Sequence, residues 1–362
     1  MNKKSLVVDA RMINSSGIGV YLKNILPKIA LEFSLTLLGN KDELNKFPWT
    51  KNIKIINFHA EIYSLKEQFY FPFKIPKTDL FWCPHFNAPF FPIRAKRILT
   101  TIYDVNHLAN KSSSSFIKWA YAKLLYSSAV VRSEKIITIS EFSKNELIKH
   151  TNVKQDKICV IFCGVDHKLF SNKKKSNIKS LPKKYILYVG NIKPHKNLIT
   201  LLKAYNVLPE KIKNEFKLVI LGKKEGFITP DLEIFRFIDK NNLMKDTFFT
   251  GHIKDEEVPG VYQKANLFVF PSLYEGFGLP ILEAMVSEVP VLSSNKTSLP
   301  EVGGDSVIYF DPNKVDDLAK KINKYILNTE LLKSYIDKGK LHARLFSWEK
   351  ASKKHISIIN IN

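Results

Sequence analysis

Asn266-Leu267-Phe268-Val269-Phe270-Pro271-Ser272-Leu273-Tyr274-Glu275-Gly276-Phe277-Gly278-Leu279-Pro280-Ile281-Leu282-Glu283-Ala284-Met285 passes from strand to loop to helix in one continuous run. Leu267 to Phe270 are apolar and aromatic without alternation, as in a strand covered on both faces of a parallel sheet. Gly276 and Gly278 make a loop whose backbone can approach a ligand closely. Pro280 suits the first position of a helix, where its missing N–H costs nothing. The free N–H groups of such a helix start suit phosphate oxygens.

Two acids flank this turn. Glu275 precedes the helix and Glu283 lies inside it, so they do not imply the separation of about 5–5.5 Å that a retaining glycosidase pair needs. A carboxylate beside a phosphate makes electrostatic sense when it accepts hydrogen bonds from hydroxyls. Hydroxyls on both sides of a phosphate describe a nucleoside diphosphate sugar. An ordinary strand–loop–helix with a solvated acid is the plainer alternative.

Outward from this stretch, short apolar runs alternate with amphipathic ones. Leu6–Asp9, Ser34–Gly39, Ile53–Phe58, Leu80–Cys83, Ile98–Tyr103, Lys135–Ile139 and Ile158–Phe162 read as strands, with helices over Val20–Phe33, Phe116–Arg132 and Glu141–His150. Asp166 to Lys184 is polar and reads as a linker. A second series follows, with strands at Tyr185–Gly190, Lys217–Gly222, Thr247–Gly251, Leu267–Pro271, Val289–Ser293 and Val307–Phe310. Its helices fall around Lys196–Leu208, Asp231–Asn241, Glu256–Lys264, Pro280–Val286 and Val315–Asn328. The expectation is α/β, with two Rossmann-like doubly wound domains facing a central cleft. Their bounds are 1–168 and 184–346, with a linker over 169–183.

Two further turns face the expected cleft. Lys196 follows the strand Tyr185–Gly190 and could reach a pyrophosphate as a point charge. A solvated first-turn lysine is the equal alternative. Gly17-Ile18-Gly19 follows the first strand and starts like a dinucleotide fingerprint. The third glycine and the downstream acid are absent, so it marks only a flexible backbone at the cleft edge.

Composition narrows the class. Of 362 residues, 45% are hydrophobic and 25% charged, a globular balance. The net charge of +22 is spread over both halves, +12 through Phe170 and +10 beyond, where a nucleic-acid binder would concentrate it. Scattered lysine reads as solvated surface and leaves room for contact with an anionic membrane. No apolar run reaches the roughly 18 residues of a membrane helix, and Asp9 interrupts any leader-like start, so a cytoplasmic protein is expected. Cys83, Cys159 and Cys163 read as buried thiols, with no metal set completed around them.

These stretches together resemble the family-4 retaining glycosyltransferases of the GT-B architecture. Glu275 and Glu283 form the E-x7-E motif as E-G-F-G-L-P-x-x-E. Around it stand Gly251-His252-Ile253 with Asp255-Glu256-Glu257, Pro290-Val291-Leu292 and Leu299-Pro300-Glu301-Val302-Gly303-Gly304-Asp305. The first half contributes Gly17-Ile18-Gly19, Thr101-Ile102-Tyr103-Asp104, Ser140-Glu141-Phe142-Ser143 and Gly164-Val165-Asp166. Phe346-Ser347-Trp348 is similar to the start of the family's last helix, which implies that 347–362 crosses back to the first domain.

The resemblance implies roles. Glu275 would contact donor sugar hydroxyls, Glu283 the ribose, and Lys196 the leaving pyrophosphate. Phe277, Gly278 and Leu279 would offer backbone N–H groups. Gly222 and Ile253 would border the base, Gly17 to Gly19 would close on the donor phosphate, and Asp104 would lie near the acceptor. It implies a retaining hexosyl transfer from a UDP- or GDP-sugar to a glycan or lipid-linked glycan in cell-surface polysaccharide or lipopolysaccharide assembly. No cofactor and no metal are expected, and there is no D-x-D-type motif near the donor turn.

Two positions depart from the pattern. Asn191 stands where many members carry arginine, and Tyr103 where many carry histidine; His107 is the nearby substitute. The departures keep a non-catalytic donor-binding relative in view. A nucleotide-sugar 2-epimerase could share the fold, though the E-x7-E context argues against it. The aromatic, lysine-dotted Phe116–Arg132 helix reads first as packed on its own sheet and second as resting on a membrane.

Overall fold

The computed structural model describes residues 3–110, 115–172, 181–222, 232–251 and 253–361. The polar centre of the expected linker and the start of the helix expected at Asp231 lie outside them, as does His252. The chain divides into two compact units, Met1–Gly164 with Trp348–Asn362, and Val165–Ser347.

The first unit is built on seven parallel strands: β1 (Ser5–Asp9), β2 (Ser34–Gly39), β3 (Lys54–Asn57), β4 (Thr78–Cys83), β5 (Ala95–Thr101), β6 (Lys135–Thr138) and β7 (Ile158–Val160). Their order is β3-β2-β1-β4-β5-β6-β7, so the chain runs outward one way from β1 and the other way from β4. One face packs Val7, Leu38, Phe58, Phe71 and Phe81. The other buries Phe86, Ile102, Leu125, Tyr126 and Leu147. The Trp348–Asn360 helix packs in this unit, beside Ser16–Glu32. The buried Tyr21 hydroxyl hydrogen-bonds the buried His355 ring.

The second unit holds β8 (Tyr185–Val189), β9 (Lys217–Leu221), β10 (Thr247–Phe249), β11 (Leu267–Phe270), β12 (Val291–Ser294) and β13 (Ile308–Phe310). All are parallel, in the order β10-β9-β8-β11-β12-β13. Direction reverses between β8 and β11. Both units are therefore doubly wound α/β sheets, and each has one switch point where ligands of such sheets bind.

The Phe116–Arg132 helix packs on its own sheet along one side, the first of its two sequence readings. Leu125, Tyr126, Ala129 and Val130 are buried against the sheet. Phe116 and Ile117 are each 79% exposed, and Leu124 and Val131 are exposed too.

Candidate donor site

β8 and β11 are hydrogen-bonded neighbours, so the loops after them stand side by side at the switch point of the second sheet. The loop after β8 makes a 3-10 turn, Pro194–Lys196, and the helix begins only at Leu198. Asn197 between them adopts φ +55°. Its buried side-chain amide donates to the carbonyls of Pro271 and Pro312, each at 3.0 Å, tying the β8 loop to those after β11 and β13. Leu273 N–H donates to the His195 carbonyl at 2.8 Å and closes the same seam.

The seam brings Lys196 to Glu275. Nζ lies 2.6 Å from Oε1, with side chains 20% and 13% exposed. Lys196 is also 5.9 Å from the centre of the Phe270 ring. The Glu275 loop is held from behind, because Ser298 Oγ donates to the carbonyls of Glu275 and Phe277 at 2.9 and 2.8 Å. Glu275 N–H donates to Thr297 Oγ1 at 3.2 Å.

The helix that follows is Leu279–Val286, with Gly278 as N-cap and no capping side chain. Pro280 therefore occupies the second position, not the first. Gly278 has φ +125°, a backbone conformation that favours glycine, and an added Cβ would also push on the Leu299 side chain at 2.8 Å. The Phe277 side chain is buried against Phe346 and serves the core. Glu283 is half-buried on this helix and accepts a hydrogen bond from the Tyr262 hydroxyl at 2.9 Å. Burial pushes its carboxyl up to about 7; the Tyr262 hydrogen bond pulls it down and Asp255 adds to the rise. The turn after β11 thus combines an uncapped helix start, one cation and two carboxylates. It can hold an anion and accept from hydroxyls on either side of it.

The chain matches the family model described as "Glycosyl transferases group 1" over residues 170–342 and that described as "Glycosyltransferase Family 4" over 47–169. It is 31% identical over 292 residues to O-antigen chain mannosyltransferase B of Escherichia coli, covering 78% of this chain and 74% of that one. The chain belongs to the family-4 glycosyltransferases. Its fold is shared with sucrose-phosphate synthase from Thermosynechococcus elongatus, at TM-score 0.79, 17% identity and 98% of each chain covered. It is shared too with HepE of Anabaena, at TM-score 0.78, 16% identity and all of both chains.

The remaining expected residues of this family-4 glycosyltransferase fall as follows. Gly222 follows β9, and a Cβ there would meet the Gly190 carbonyl oxygen at 2.5 Å. Ile253 is half-buried beyond β10, and Asn191 is exposed beyond β8. In the first unit, Gly17 lies in open space and Gly19 is buried. Asp104 Oδ1 accepts from Asn106 N–H at 2.9 Å. Tyr103 sits edge-on to Tyr21 at 5.2 Å, its hydroxyl buried without a hydrogen-bond partner. His107 is exposed. The structure brings Lys196 and Glu275 together and sets Glu283 about one helix turn beyond the Glu275–Gly278 loop. Sequence reasoning missed Asn197, Tyr262 and Ser298. Only Asn197 carried a local signal, an asparagine just before a helix, where the left-handed region is accessible to it.

Proposed function

We propose that this glycosyltransferase moves a hexose from a nucleoside diphosphate sugar to a glycan acceptor, with retention at the anomeric carbon and without a metal. The observation that carries the reading is the Lys196–Glu275 pair at the β8–β11 switch point, beside the uncapped start of Leu279–Val286. Lys196 and that helix start stabilise the leaving pyrophosphate. Glu275 accepts from sugar hydroxyls and Glu283 from the ribose, while the backbone of Phe277 to Leu279 faces the donor. Gly222 and Ile253 border the base; Gly17 to Gly19, Asp104, Tyr103 and His107 serve the first-domain side. The O-antigen relative supports a place in cell-surface polysaccharide or lipopolysaccharide assembly. HepE, whose structure holds UDP and glucose, supports a nucleotide-sugar donor.

The test is a panel of UDP- and GDP-sugars, read by donor-specific thermal shift, released nucleotide and the anomeric configuration of the product by NMR, with and without chelator. A thermal shift without nucleotide release identifies a non-catalytic binder. An inverted product rejects retention, and activity lost to chelator rejects metal independence.

The enzyme works at the inner face of an anionic membrane. No helix among the described residues is long and apolar enough to cross one. The support is the outer face of Phe116–Arg132, where Phe116, Ile117 and Leu124 stand exposed among exposed Lys118 and Lys123. Flotation with anionic vesicles tests it; no binding at low salt rejects it.

A further inference from the structure

A second cluster of cations lies in the first unit, and none of its residues belongs to the donor turn. A surface hollow of about 550 Å³ opens where β5 begins and just ahead of β6 and β7. It therefore sits at the opposite edge of the sheet from the strand ends where ligands of such folds bind. Lys96, Arg97, Arg132 and Lys157 line it with one acid, Glu134, which pairs with Arg97.

We propose that this hollow is a phosphate site that takes the headgroup of an anionic lipid. The proposal rests on the membrane reading above and names a headgroup contact for it, at the C-terminal end of the same Phe116–Arg132 helix.

Two of the cations stand without an acid. Among the described residues, neither Arg132 nor Lys157 pairs with a carboxylate; both bond to backbone carbonyls. The terminal nitrogens of Arg132 make one hydrogen bond in the protein, to the Phe90 carbonyl at 3.2 Å. Partial burial lowers the guanidinium's pKa, which marks a charge that an anion beside it would stabilise. Lys157 Nζ donates to the carbonyls of Val130 and Ser133 at 3.3 and 3.0 Å, and an ammonium has a third proton to give. Lys96 pairs with Asp79 at 2.7 Å, an exposed pair of the kind that is worth little and can change partners. A guanidinium and ammonium groups around one hollow suit phosphate oxygens.

The rest of the lining favours a lipid over a soluble phosphate. Pro92, Ile93 and Val131 form its apolar side, and Val131 is 76% exposed. Phe91, beside Pro92, is exposed and lies 5.3 Å from the exposed ring of Phe69, centre to centre. Leu65, Phe69 and Phe73 recur every four residues on the Leu65–Lys74 helix and are all exposed. The exposed charges of this rim, Lys66 and Arg94, are both positive. An apolar rim dotted with cations and free of acids matches the surface of an anionic bilayer, whereas a free phosphate makes no use of the rim.

The test floats the full chain with vesicles of phosphatidylcholine alone and of equimolar phosphatidylcholine and phosphatidylglycerol. Wild type is compared with Arg132→Gln, Arg132→Lys, Lys96→Gln and Lys51→Gln, the last removing an exposed charge outside the hollow. Wild type should bind the phosphatidylglycerol vesicles. Arg132→Gln should weaken that binding about five- to tenfold and Lys96→Gln about two- to fivefold, with Lys51→Gln within about twofold of wild type. Arg132→Lys keeps the charge without the planar fork and should recover only part of the loss. Glycerol 1-phosphate, the soluble counterpart of the headgroup, should shift the Arg132 Nε–H signal in NMR spectra, assigned by its absence in Arg132→Gln. Diffuse attraction to a charged surface would not move it. Thermal melting shows whether each variant folds; if Arg132→Gln does not, Arg132→Lys and Lys96→Gln carry the test. Hollow variants that float no worse than Lys51→Gln, or an unmoved Arg132 signal, overturn the proposal. If Phe116→Ser then abolishes flotation, the membrane reading stands without it. A shifted signal with no flotation of wild type rejects the lipid and the membrane reading together.

Discussion

The two switch points hold the same kinds of charge and treat them oppositely. In the second sheet, Lys196 meets one carboxylate, and both side chains keep partial access to water. In the first, Arg11 is clamped between Asp9 and Glu67, with side chains 5%, 5% and 0% exposed, and its guanidinium stacks on Phe58 and Phe71 at 4.4 and 5.2 Å. A buried cation held by two buried acids, a carbonyl and two rings is committed to the fold. A cation with one half-covered partner can exchange that partner. Burial and the number of partners therefore separate the cation that holds the fold from the cation proposed to meet the donor.

The sharpest way to break this comparison is Arg11→Ala. It leaves Asp9 and the buried Glu67 without their cation, a loss of about 3–5 kcal/mol. Urea unfolding measures it, and a change below about 1 kcal/mol would refute the structural role. Lys196→Ala should leave that stability nearly unchanged and lower kcat by about 10²–10³, the scale of one preorganised contact to developing charge. Wild-type turnover by this variant removes Lys196 from the site.

Glu283 adds a pH dependence. Its folded carboxyl sits near 7, above the ordinary 4.5, so folding favours the protonated form. The stability it contributes is present below about pH 4.5 and fades as pH rises through 7. Relative to Glu283→Gln, the wild type should lose about 1–2 kcal/mol across that window, discounted for partial access to water. Parallel thermal scans from pH 4.5 to 8 check it, and a flat difference rejects the shift. The smallest effect expected is on binding. Glu275→Gln removes the carboxylate that occupies Lys196, so free UDP or GDP should bind about three- to tenfold tighter even as transfer is lost. Calorimetry decides, and weaker binding would show that Glu275 does not compete with phosphate.

Much of the fold could be read because strands buried on both faces carry unbroken apolar runs. Ser34–Gly39 is matched residue for residue, and Tyr185–Gly190 differs from β8 by one residue. Helices were legible where periodicity was clean. Leu65–Lys74 was not, because its aromatic run with Pro72 inside looks like neither helix nor loop. Thr329–Ala343 was missed because its apolar positions are few and dispersed among polar residues. In the site, each of Lys196 and Glu275 could be placed at a strand end. That they touch is a fact of sheet order, since they stand 79 positions apart in sequence. The Arg11–Glu67 pair was invisible for a related reason: Glu67 comes from the Leu65–Lys74 helix, far from Arg11 in sequence.

The Lys196–Glu275 pair also carries a logic of conjunction. A ligand that parts the two must satisfy both. Inorganic phosphate or a bare nucleotide offers an anion to the lysine and strands the carboxylate. A free sugar offers hydroxyls to the carboxylate and strands the lysine. Only a molecule with both halves covalently joined makes good the broken contact on each side.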